Sequence, residues 1–243
     1  MPSEVDEHGI PARGSALHIA YYVNVAPAEL DATLGEQLLI EQPIQWVSPL
    51  ASDRFVEYHD RAFLEAVGQG GLGAALEAWW PRGGAHWDAL GVAADGAVVL
   101  MEAKANIAEM TSGAGSQAGS TGSPKALANR EQIAQALRET RQAMGVHESG
   151  DSWISTHCYQ HANRLAYLQF LKAQHVPARL AFVYFIDDHT HIPTPRAHFD
   201  AQRQADAREL GIDAIELPDV AGVYLPAIAG AHERLRALVE SLL

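Results

Sequence analysis

A chain of 243 residues, 48% hydrophobic and 19% charged, can bury the core of one large or two small globular domains. No run of about 18 apolar residues occurs, which excludes a transmembrane helix. The net charge of -13 argues against tight nonspecific binding of a polyanion such as nucleic acid.

The single cysteine, Cys158, excludes an internal disulfide and fits a cytoplasmic protein with no membrane partner. In chain order, residues 1–15 are polar, without the apolar core of a secretory signal, and predict a flexible N-terminal tail. Residues 16–243 then form one α/β domain. "LHIAYYVNVA" (17–26) predicts a strand or apolar segment. "PAELDATLGEQLLIEQ" (27–42) predicts a helix, with Pro27 at its start and acids in its first turns. Residues 56–81 predict a helix or helix pair, weakened by Gly68, Gly70, Gly71 and Gly73 and stopped by Pro81.

"HWDALGVAADGAVVLMEAKAN" (86–106) predicts a hairpin that turns at "ADG" (94–96), with Gly96 supplying a positive φ. Val92 then faces Val98, Leu90 faces Leu100 and Asp88 faces Glu102. Strand side chains alternate, so Lys104 shares the face of Glu102. "MTSGAGSQAGSTGSPKA" (110–126) is dense in Gly and Ser and predicts a mobile loop. Helices are expected over 126–145 and 152–176, a buried strand over 178–187, a polar helix over 194–210, a strand and loop near 212–226, and a closing helix. Strands mixed with helices, around a hairpin, imply a three-layer sandwich: a central mixed β-sheet flanked by helices.

Charge on the apolar ribbon is the sharpest functional signal. Lys104 is one of only three lysines. A solvated ladder of opposite charges is the ordinary reading of such a group. The apolar neighbours in "VVLMEAKA" argue instead for a buried cluster, which is costly without a role. Hard cations such as Mg²⁺ or Mn²⁺ take oxygen ligands, and Asp88, Glu102 and the Ala103 carbonyl offer three. Lys104 would stand beside a metal-bound water.

A lone aspartate, a hairpin and Glu-x-Lys at the end of an apolar strand resemble the PD-(D/E)xK nuclease superfamily, whose fold is restriction-endonuclease-like. The match is Asp88 with Glu102-Ala103-Lys104, within an order of elements spanning about 56–187. Trp87 stands where the motif's name has proline. The resemblance implies metal-dependent hydrolysis of a phosphodiester, with DNA the expected nucleic acid, and a homodimer or basic partner protein. It also implies a supporting helical glutamate, Glu77 ahead of Glu65, and a polar residue on the following helix, Gln160 ahead of Gln132. Asn163 and Arg164 follow within a turn and would meet a phosphate or base. A catalytically silent binding or assembly module of the same fold is the alternative.

Other clusters carry less. His157 and His161 stand four residues apart beside Cys158. No second cysteine and no intervening glutamate accompany them, so a buried thiol is the simpler reading than a zinc site. Trp79, Trp80 and Trp87 read as core. Arg130, Arg138 and Arg141, diluted by Glu131 and Glu139, read as a solvated helix face.

Overall fold

The computed structural model describes residues 4–111, 122–146, 152–155 and 157–243. Its elements run α1 (Gly14–Asn24), α2 (Pro27–Leu38), β1 (Gln45–Ser48), α3 (Asp60–Ala66), α4 (Gly73–Trp79), β2 (Ala89–Val92), β3 (Val98–Lys104), α5 (Ile107–Thr111), α6 (Pro124–Ala143), α7 (Ser152–Ser155), α8 (Tyr159–Ala173), β4 (Ala178–Ile186), α9 (Arg196–Leu210), β5 (Val220–Pro226) and α10 (Ala231–Leu242). The five strands form one sheet in the order β1-β2-β3-β4-β5. β1, β2 and β3 pair antiparallel, whereas β4 runs parallel to both β3 and β5, so the sheet is mixed.

The expected hairpin forms in the expected register. Leu90 faces Leu100 and Val92 faces Val98. Gly96 takes φ +83° at the turn, a backbone region costly for a side chain with a Cβ. Strand alternation then divides the core in two. Val98 and Leu100 pack with α3, α4, α6 and α8 on one face. Val99, Met101 and Ala103 pack with α1, α2 and α10 on the other. Glu102 and Lys104 follow the parity of Leu100 and point to the α8 face.

Four expectations are corrected. Residues 17–26 lie mostly in α1 rather than a strand. Every residue from Leu17 to Val23 is buried, so no one-sided apolar stripe exists to reveal the helical period. Part of the expected tail is anchored on the domain, although Glu4, Val5, Glu7, Ala12 and Arg13 are exposed. Ile10 is fully buried, Val5 bridges Pro11, and Asp6 lies 3.3 Å from His232 and 3.5 Å from Arg236 on α10. The expected loop 110–126 is helical at both ends, in α5 and α6, where Ser123 caps α6 by accepting from the Ala126 N–H; residues 112–121 lie outside the described ones. The expected helix 152–176 is two elements, α7 and α8. β1, which carries no alternating pattern, joins the sheet as an edge strand of four residues.

No helix among the described residues is long and apolar enough to cross a membrane.

Candidate active site

β2 begins at Ala89, one residue after Asp88. The chain before it leaves β3: His86 pairs with His59, and the Trp87 N–H donates to the Tyr58 carbonyl. Ala103 thereby loses its ladder partner on that side. The Asp88 carboxylate takes the vacated place, with Oδ2 accepting from the Ala103 N–H at 2.6 Å. The N–H and C=O of one strand residue point to the same edge, so the Ala103 carbonyl also faces Asp88.

Glu102 is buried between two cations. Its Oε1 lies 2.6 Å from Lys104 Nζ and its Oε2 2.6 Å from Arg164 Nε. Lys104 also donates to Gln160 Oε1 at 3.1 Å. Arg164, on α8, donates further to Asn163 Oδ1 at 2.7 Å and to the His86 carbonyl at 2.8 Å, and stacks over Trp87. Each guanidinium edge is thus committed, and the arginine ties α8, β3 and the segment before β2 together.

The carboxyls differ in how this environment treats them. Burial pushes the Asp88 pKa well above the ordinary carboxylate value, and repulsion from Glu102 and then Glu57 adds to it. Burial opposes ionisation of Glu102 as well, but Arg164 and Lys104 outweigh it and hold its pKa below the usual range. For Lys104 burial would lower the pKa, yet Glu102 and Asp88 raise it, so the lysine stays charged. Glu57 is exposed to solvent. Crowding by the surrounding protein, then the Glu102 charge, still raise its pKa. Asp88 is therefore an acid short of positive charge. A divalent cation would supply it, and the donors at hand, two carboxylates and a backbone carbonyl, are the hard oxygens that Mg²⁺ or Mn²⁺ prefers.

A narrow cavity of about 20 Å³ adjoins the cluster, lined by Glu102, Lys104, Gln160 and Asp206 among others. That is room for about one water molecule.

Of the residues singled out from sequence, Asp88, Glu102, Ala103, Lys104, Gln160, Asn163 and Arg164 come together. Glu77 does not join them: its carboxylate lies 4.0 Å from Arg82. Glu65 pairs with Arg61 at 3.0 Å, and Gln132 spans from α6 to the carbonyls of Glu77 and Ala78. Arg164 and Asn163 are buried and bonded inward, which turns them from contacts for a phosphate or base into supports for Glu102. The acid whose charge does reach the cluster is Glu57, which raises the Asp88 pKa. It sits in an irregular segment, where no periodicity marks a side chain's direction, and only the pairing of 58–59 with 86–87 brings it to the hairpin. Trp80 and Trp87 are core, as read, and Trp79 stacks on Phe170.

A second cluster lies at the start of α8. His157, Cys158 and Asp206 place three ligand atoms within 4.8 Å of one another, the one such group of three His, Cys, Asp or Glu among the described residues. Compared with family models, curated proteins and solved structures, the chain matches none of them.

Proposed function

We propose that this protein hydrolyses phosphodiester bonds in nucleic acid, with DNA as the expected substrate, through a divalent-metal site of PD-(D/E)xK type on a restriction-endonuclease-like fold. The observation that carries the reading is the meeting of Asp88, Glu102 and Lys104 at one end of β3, with Asp88 short of positive charge and a water-sized cavity beside the lysine. The succession of a helix, an antiparallel hairpin, a helix and a strand parallel to β3 supports the fold assignment.

Asp88, Glu102 and the Ala103 carbonyl would hold Mg²⁺ or Mn²⁺, with Glu57 adding charge. Bound there, the ion would lower the pKa of a water and polarise the phosphate. The chain's own part is positional. Lys104, kept cationic and steadied by Gln160, orients a water in the adjoining cavity and stabilises charge developing on the phosphate. Arg164 holds Glu102 in place. A homodimer or a basic partner protein would offset the acidic surface, and a cytoplasmic setting suits the lone cysteine.

Incubation with plasmid, single-stranded DNA and RNA, in Mg²⁺, Mn²⁺ or EDTA, tests the proposal. Metal-dependent cleavage is expected, reduced by about 10²-fold or more in Lys104→Ala. Cleavage at equal rates by both proteins, or by neither, would remove catalysis by this site. The second reading, a silent binding module, draws on one observation: both Glu102 oxygens already have cationic partners.

A further inference from the structure

His157 and Cys158 immediately precede α8, while Asp206 and Glu209 stand three residues apart on α9, on one face of that helix. The His157 Nε2 atom lies 3.0 Å from Asp206 Oδ1, 3.5 Å from Cys158 Sγ and 3.7 Å from Glu209 Oε2. These spacings are informative. Tetrahedral zinc, with bonds of about 2.0–2.1 Å to nitrogen or oxygen and about 2.3 Å to sulfur, sets its ligand atoms about 3.3–3.6 Å apart. One ligand atom each from His157, Cys158 and Asp206 lie within 4.8 Å of one another, near three corners of a zinc tetrahedron, while Glu209 Oε2 stands 3.7 Å from the imidazole and outside that mutual group.

The donor set is chemically selective. A thiolate and an imidazole favour zinc over Mg²⁺ or Ca²⁺, which prefer all-oxygen shells. An outer partner is in place too: Gln202 donates to Asp206 Oδ1 at 2.7 Å. Asp206 fills one of the positions for which the sequence offers no second cysteine, and Glu209 is near enough to reach the other.

We infer that His157, Cys158 and Asp206 hold a zinc ion, with Glu209 completing the shell by a shift of its side chain, and that the site pins the start of α8 to α9. With Glu209 as the fourth ligand no position stays open, which makes the site structural rather than catalytic. Its position gives it consequence. α8 carries Gln160 and Arg164, and Asp206 lines the same small cavity as Glu102 and Lys104. The inference stands apart from the phosphodiester reading, since it shares no ligand with it.

The test uses the full chain with Zn²⁺ alone as probe. After exposure to Zn²⁺ and removal of free metal by gel filtration, wild type should retain about one zinc per chain. Asp88→Asn should retain the same amount, which keeps the two sites distinguishable. His157→Ala and Cys158→Ser should each bind zinc at least about 100-fold more weakly, exceeding the usual loss from an outer-shell change. Co²⁺ in place of zinc should give a sulfur-to-metal absorption band that Cys158→Ser removes. Should Cys158→Ser fail to fold by circular dichroism, His157→Ala, altered at a partly exposed ring, decides the matter. Absence of retained zinc in wild type, or equal zinc in wild type and His157→Ala, would overturn the inference.

Discussion

Asp88 and Glu102 are chemically similar carboxylates a few residues from one another in the fold, yet their surroundings drive them apart. Glu102 has two cationic partners at 2.6 Å, whereas for Asp88 a backbone N–H and the charge of Lys104 are outweighed by burial and two acidic neighbours. Carboxyls driven apart in this way cluster at functional sites. It also has a stability consequence. The folded pKa of Asp88 is raised above its unfolded value of about 3.9, so the native state holds its proton more tightly. Folding stability from this group is present at low pH and declines as pH rises from about 4 through the folded pKa. Asp88→Asn keeps an oxygen to accept from Ala103 and never ionises. In EDTA at neutral pH it should stabilise the protein by about 1 kcal/mol, a rise of roughly 2–4 °C in Tm, while abolishing metal-dependent cleavage. Thermal melts from pH 4 to 8 check this, the gain growing with pH; a variant less stable than wild type at pH 8 would contradict it.

At the scale of elements, α8 is the part on which the site depends. Tyr159–Ala173 buries Leu165, Leu168 and Leu171 and so presents Gln160 and Arg164 to β3. Arg164 is the tie between them. Replacing it with Met leaves the Glu102 charge facing Lys104 alone in a buried setting, at a cost of about 3–5 kcal/mol. Adding Glu102→Gln should return much of that stability, because the uncompensated charge goes with it. Urea denaturation of the two single variants and the double variant measures the coupling, and strictly additive effects would refute it. The periodic or strand-rich parts of this frame are readable in sequence: α2, α6, β4, α9 and the hairpin register all follow from apolar spacing and turn chemistry. α1 is not, because a helix buried all round carries no stripe. Nor is β1, since four edge residues are too few to show alternation.

At the scale of the whole molecule, charge opposes the proposed substrate. A net charge of -13 repels phosphate, and the helix arginines do not reverse it: Arg138, for one, is paired with Glu131 at 2.6 Å. Fluorescence anisotropy with a labelled duplex should give a Kd weaker than about 10⁻⁶ M at 150 mM salt, and a salt dependence shallower than that of a protein making six to ten phosphate contacts. Tight binding by the chain alone, with a steep salt slope, would instead reveal a basic groove and dispense with a partner.

The pattern of apolar residues and the turn at Gly96 suffice to bring Glu102 and Lys104 onto one face and to set the hairpin in register, since both are consequences of short-range backbone geometry. That Asp88 caps the edge of Ala103, that the charge of Glu57 rather than Glu77 reaches the acids, that Arg164 turns inward to a residue 62 positions away, and that Cys158 meets Asp206 depend on separate segments packing together. No local periodicity encodes those meetings. They come from the two faces of the sheet being covered by particular helices, and the chemistry of the site is settled there.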